Sequence, residues 1–134
     1  MIPTTNNILT MDLNIEPETS NTYELQIEKD RINGYCDELK AMKQVVYKIL
    51  NTERYKYIIY SWNYGIELLD LYGKPVTFVC SELTRRITEA LVQDDRILSV
   101  DEFTFDTTQK GIVSVFFVVH TIFGDVEMEK VVNY

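Results

Sequence analysis

Histidine, cysteine, glycine and basic residues are all scarce in this sequence, and each shortage excludes something. One histidine (His120) and two cysteines (Cys36, Cys80) are too few for a metal centre built from Cys and His clusters, and two thiols make no disulfide framework. Five glycines scattered along the chain leave no Gly-rich loop to cradle a phosphate. Lys and Arg total 13 against 21 Asp and Glu, a formal net charge of -8. That balance argues against binding nucleic acid or an anionic membrane through bulk charge, since both need a basic face. The longest apolar run, Ile112 to Val119, is interrupted by Ser114 and falls far short of the ~20 residues a membrane helix requires. The start, Met1 to Asn14, has no basic stretch and carries Asp12, so no signal peptide is expected. The chain is expected to be made and kept in a cytoplasm, with both thiols reduced and packed.

What remains is the composition of a globular domain: 134 residues, 46% hydrophobic and 25% charged, enough to bury one core. Residues 1–21, rich in Thr, Asn and Pro, read as a flexible N-terminal arm. The alternative is a segment that orders on a partner as an added strand, with Leu9, Met11, Leu13 and Ile15 on one face. Residues 22–134 read as a single α+β domain. Alternation over Thr22 to Glu28 predicts a half-buried strand; Lys29-Asp30-Arg31 makes a turn, and Ile32 to Cys36 returns as a hairpin. Asp37 is a plausible N-cap for a helix to about Asn51, with Leu39, Met42, Val45, Val46, Ile49 and Leu50 in one stripe. Thr52 to Lys74 is dense in aromatics (Tyr55, Tyr57, Tyr60, Trp62, Tyr64, Tyr72); a short strand is expected near Tyr57 to Ser61, then a loop. Aromatics at this density seal a core edge or face a partner.

A second helix is expected to begin at Pro75 and run from Val76 to Gln93. Its stripe is Val76, Val79, Cys80, Leu83, Ile87, Ala90 and Leu91. Phe78 and Val92 point away from that stripe and hint at a second contact surface. The remaining residues read as three strands: Ile97 to Asp106, Ile112 to His120 and Val126 to Val132. The middle one is so apolar that it should be covered on both faces, and the last alternates with acid on one side, as an outer strand does. The expected fold is α+β: two amphipathic helices packed on a mainly antiparallel sheet that ends in a β-meander, with an extended N-terminal tail.

No catalytic constellation emerges. A triad would need His120, which lies at the end of the most apolar strand and reads as a packed or capping residue. Glu67 and Asp70 lie close in sequence beside the aromatic segment, and Asp94 and Asp95 at a helix end. Among 21 acids such pairs arise by chance, and a glycosidase pair also needs one raised pKa. Asp94 and Asp95 sit where the helix dipole disfavours negative charge, so local compensation is expected, with Arg96 the nearest candidate.

Three segments carry a resemblance: Val46-Tyr47-Lys48-Ile49-Leu50-Asn51-Thr52-Glu53-Arg54; Ile59-Tyr60-Ser61-Trp62-Asn63-Tyr64-Gly65-Ile66-Glu67-Leu68; and Ser81 through Leu91 followed by Asp94-Asp95-Arg96-Ile97. In order and spacing the chain resembles the small baseplate wedge protein of contractile phage tails, the sheath initiator, and most closely the branch of PBSX-type prophages and contractile bacteriocins. The resemblance implies a structural component of the inner baseplate, forming a ring of subunits around the tube. Its partners would be the other baseplate wedge proteins and the tail sheath protein, whose first ring docks by strand exchange. Assembly would take place in the host cytoplasm, and the chain would end in the baseplate of the mature particle. No cofactor and no catalysis are implied. The family signature Glu-Pro-Arg corresponds here to Asp94-Asp95-Arg96: the Arg matches, Asp94 supplies the acid and Asp95 replaces the Pro. Asp94, Asp95, Arg96, Trp62, Tyr64, Phe78 and Val92 are accordingly the expected interface residues. Two other functions stay open at this point: a peptidoglycan-degrading tail hydrolase and a transient tail-assembly adaptor.

Overall fold

A computed structural model describes residues 19–134; of the expected N-terminal arm, residues 1–18 lie outside the described residues. The described chain opens with strands β1 (Thr22–Gln26) and β2 (Arg31–Cys36), an antiparallel hairpin. The first strand ends earlier than its alternation implies, because Ile27–Lys29 curls into a single 3-10 turn closed by Asp30 in the left-handed region. A register shift between Tyr23 and Leu25 interrupts the ladder, and a buried or half-buried backbone group left unpaired there would be costly. The amide of Gln44 supplies the partners: its Oε1 accepts from Leu25 N (2.8 Å) and its Nε2 donates to Tyr23 O (2.8 Å). One side chain thus ties the hairpin to the first helix.

That helix, α1 (Glu38–Leu50), starts as expected at Asp37, whose carboxylate accepts from Glu38 N (2.7 Å) and from the Ser20 hydroxyl. Ala41, Met42, Val46, Ile49 and Leu50 are buried, whereas Leu39 is exposed and Val45 half-buried. Helix α2 (Val76–Val92) has Pro75 as its N-cap and buries Val79, Leu83, Ile87, Ala90 and Leu91. Phe78 and Val92 are indeed exposed.

Strands β3 (Ile97–Asp106), β4 (Ile112–Thr121) and β5 (Gly124–Asn133) form an antiparallel meander in the order β3-β4-β5. Helix α2 packs on the β3 side and α1 on the β5 side, so both stripes close on one sheet face. Val113, Val115, Phe117 and Val119 of β4 are buried there. The expectation that β4 is covered on both faces fails. Its alternate residues Ile112, Ser114, Val118 and His120 are only partly covered, and Phe116 is 41% exposed. Both described α-helices lie on the other side.

The connector from Asn51 to Pro75 contains no strand at Tyr57 to Ser61; it is a chain of turns with one parallel bridge, Glu53 to Ile66, and a 3-10 turn at Leu69–Leu71. Its order comes from polar clamps rather than periodicity. The Glu53 carboxylate accepts from Leu68 N and Leu69 N (3.1 and 3.3 Å). Arg54 donates to Gly65 O and pairs with Glu89 of α2. Arg86 of α2 grips both carboxylate oxygens of Asp70 and the carbonyl of Glu67. These clamps seat Ile66 and Leu71 in the core.

Gly65 lies where backbone meets backbone: its φ is +91°, and a Cβ there would stand 2.5 Å from Thr52 O. Gly73 has a similar φ of +75° but open space around it. Urea unfolding should therefore separate the two. Gly65→Ala is expected to cost about 3 kcal/mol, strain plus clash, and Gly73→Ala about 1 kcal/mol, strain alone. Equal losses would show that the close approach to Thr52 is not a constraint.

Candidate functional site

The corner between α2 and β3 is built from three residues that the sequence singles out. Asp94 N closes the helix end on Leu91 O (3.1 Å), and Ile97 N closes the turn on Asp94 O (3.0 Å). The carboxylate of Asp94 then folds back over its own turn. Oδ1 accepts from Arg96 N and Nε (both 3.0 Å), and Oδ2 from the Arg96 guanidinium (2.8 Å). The two side chains are only 17% and 15% exposed. Burial would push the Asp94 carboxyl upward, but hydrogen bonds from the Arg96 side chain and backbone overrule it and hold the group below the usual carboxylate range. This is the compensation the helix dipole demands. Arg96 O also accepts from Ile122 N (3.0 Å), locking the corner to the β4–β5 turn.

Beside this bracket opens a cleft of about 400 Å³, lined among others by Lys48, Ser61, Asn63, Tyr64, Asp94 and Arg96. Tyr64 stacks on Tyr60 with ring centroids 4.5 Å apart, and burial pushes its phenol upward. The structure therefore brings together Asp94, Arg96 and Tyr64. Asp95 is exposed on the same turn. Trp62 lies on the neighbouring loop, 82% exposed, edge-on to Tyr55 (6.1 Å), over a second depression shared with Ile58. Phe78 and Val92 do not join one patch with each other: they are fourteen residues apart on α2, about 21 Å along its axis.

Residues missed from the sequence are Ile58 and Ile59, both almost wholly exposed at the apex of the aromatic loop. Two adjacent β-branched residues between tyrosines look like strand core. The available signal was Lys56 and the absence of a matching alternation around them. With Tyr55, Tyr57, Tyr60 and Trp62 they make an exposed apolar loop of the kind that marks a contact site.

The other sequence candidates have structural work. His120 sits on the uncovered sheet face and reaches both neighbours, with Nδ1 2.7 Å from Asp125 Oδ1 and Nε2 3.1 Å from Asp101 Oδ2. The hydrogen bond with Asp125 is the main cause that raises its pKa above the ordinary imidazole value. Asp70 is held below the usual range by Arg86, the opposite of what a general acid needs. Cys36 is buried, and burial pushes the Cys80 thiol upward, away from reactivity. Among the described residues no group of three or more His, Cys, Asp or Glu side chains is placed to hold a metal ion. No described helix is long and apolar enough to cross a membrane.

Comparison with known proteins adds a direct line of evidence. Residues 11–124 match the family described as contractile injection system sheath initiator. The chain is also 42% identical, over 129 residues covering 91% of each chain, to the phage-like element PBSX protein XkdS of Bacillus subtilis (strain 168).

Two outcomes follow from the local electrostatics. Asp94→Asn and Arg96→Ala, combined in a double-mutant cycle by urea unfolding at neutral pH, should show a coupling of about 1–2 kcal/mol. Because the folded carboxyl of Asp94 is depressed, that stabilisation is complete above its unfolded pKa and is lost as pH falls through the folded one. For His120 the sign is reversed. A raised folded pKa gives stability that is complete below the unfolded value and lost as pH rises through the folded value. Thermal unfolding of parent and His120→Gln should therefore differ more at about pH 6 than at about pH 9; a gap that widens with pH would refute the bridge.

Proposed function

Because the chain belongs to the family of contractile injection system sheath initiators, PBSX-type prophage branch, we propose that it works as a non-catalytic baseplate subunit that seeds the sheath by accepting strands at the free edge of β5. It is a structural component of a contractile tail. In the proposed account it joins the wedge proteins, stands in a ring around the tube, assembles in the host cytoplasm and remains in the baseplate of the mature particle.

The observation that carries this reading is the inequality of the two sheet edges. Strand β5 pairs with β4 in ten consecutive positions, from Thr121–Gly124 to Ile112–Asn133, with no irregularity. Its other edge is unpaired among the described residues. Strand β3, at the opposite edge, shifts register twice, at Ile97/Ser99 and Asp101/Thr104, and holds Glu102 at φ +58°. Bulges blunt an edge, whereas a straight ten-residue strand offers a continuous ladder of donors and acceptors. Each main-chain bond contributes only ~0.5–1.5 kcal/mol net, but a ring of subunits engaging a ring of partners multiplies a modest contact.

The cleft of Asp94, Arg96 and Tyr64, with Asp95 on its turn, and the loop carrying Trp62 offer the polar and apolar halves of a contact for a wedge partner. Val92 lies just before that turn. Phe78, at the far end of α2, would meet a different neighbour. Hydrolysis is not part of the proposal, since Arg86 keeps Asp70 ionised. A transient adaptor has no specific observation in its favour.

Hydrogen exchange of the chain alone and in complex with its cognate sheath protein tests the edge. Amides of β5 from Gly124 to Asn133 should gain at least tenfold protection at every second position, with β3 unchanged. Protection appearing on β3 alone would reassign the edge; none on either strand would refute strand addition. Arg96→Ala should lower the yield of sheathed particles several-fold while the isolated chain still melts cooperatively.

A further inference from the structure

The face of the sheet turned away from the helices has an unusual charge distribution. Pairing places Asp101, Thr104 and Asp106 of β3 opposite Val118, Phe116 and Ser114 of β4, and Val131, Glu129 and Glu127 of β5 opposite Ser114, Phe116 and Val118. On its middle strand stand Phe116, exposed, and Val118, part-covered, a short apolar stripe, with exposed Val131 beside them on β5. Along both sides stand carboxylates: Asp101, Glu102 and Asp106 on one, Asp125, Glu127 and Glu129 on the other, all exposed. The register shift at Asp101/Thr104 keeps two successive acids beside the stripe while Phe103 turns inward to stack on Phe117. Glu102 holds this place in the left-handed backbone region, where a side chain is strained. The three strands contain one Lys and no Arg. That residue, Lys130, pairs with buried Val115 and donates to Asn51 Oδ1 (3.0 Å) on the helix side. Among the described strand residues turned to this face, His120 alone is able to carry positive charge.

We propose that this face is a docking surface for a Lys/Arg-flanked apolar segment of another tail protein, lying along the Phe116–Val118 stripe. A depression of about 340 Å³ between Glu102, Phe116, Val118, Glu127 and Glu129 receives its apolar side chains, and the flanking acids receive its cations. Charge complementarity selects this occupant over the alternatives. Residues 1–18 of this chain hold Asp12, Glu16 and Glu18 and neither Lys nor Arg, so they would add charge of the same sign. A second copy presenting the same face would oppose acid to acid. Nucleic acid and anionic lipid are repelled for the same reason. The surface is distinct from the β5 edge, so the two contacts fail or hold separately.

The test is made in assembled particles. Glu127→Lys/Glu129→Lys, checked for a parental melting curve, should enter particles at least tenfold less than the parent, and Glu127→Gln/Glu129→Gln should lie between them. Asp106→Lys, on the opposite border, should show a loss of the same sign. Edge protection of β5 by isolated sheath protein should be unchanged in Asp106→Lys, whose substitution lies on β3 and not on the strand that accepts the sheath. Zero-length carbodiimide coupling of mature particles should join Glu127 or Glu129 to a lysine of a different tail protein, within four positions of apolar residues. Parental incorporation of the reversed variants would overturn the proposal and leave the acids as a solubilising border. Couplings confined to lysines of this chain would overturn it as well, and would make a second copy the occupant.

Discussion

One constraint organises the molecule: two helices share a single face of a three-stranded sheet. The stripes of α1 and α2 bury about the same few residue types, and they close on the inward residues of β3, β4 and β5 together with Ile66 and Leu71 of the connector. At roughly 25 cal/mol per Å² of apolar area, this layer supplies most of the drive to fold. It also consumes every regular element except the hairpin. Nothing in residues 19–134 is left over to cover the second face or to cap β5. With both described helices on one side, a broad surface and a long edge of the described sheet stay open.

The connector solves a separate problem. Between α1 and α2 it must bring Ile66 and Leu71 into the core without any helix or strand to carry them. Arg54, in the connector just after α1, and Arg86, in the middle of α2, do this, with Glu53 holding the backbone of Leu68 and Leu69. Between the same clamps the Tyr57 to Trp62 loop stands exposed as an apolar projection near the Asp94–Arg96 bracket. Core formation and surface presentation thus depend on the same few ion pairs.

Helices were legible because a 3.6-residue stripe and a capping Asp37 are local signals, and the β-meander because short turns separate its three strands. The Asp94–Arg96 bracket was legible from two residues of separation and a helix end. The connector was not. Tyr57 to Ser61 has the composition of a strand, and the clamps that order the connector on either side of it, Arg54 to Glu89 and Asp70 to Arg86, come from far along the chain. Strand β4 misled in another way. An unbroken apolar run states that both faces are kept from water, but not whether the second cover belongs to the same polypeptide. Phe116 answers that here by standing open.

The doubled irregularity of β3 has a geometrical consequence for any ring built from these subunits. With one border of the sheet kinked and the other straight, the proposed strand addition would lengthen each subunit from the β5 side alone. A circle of such subunits would then have a growing rim and a blind rim, and a polymer started on it would advance in a single direction.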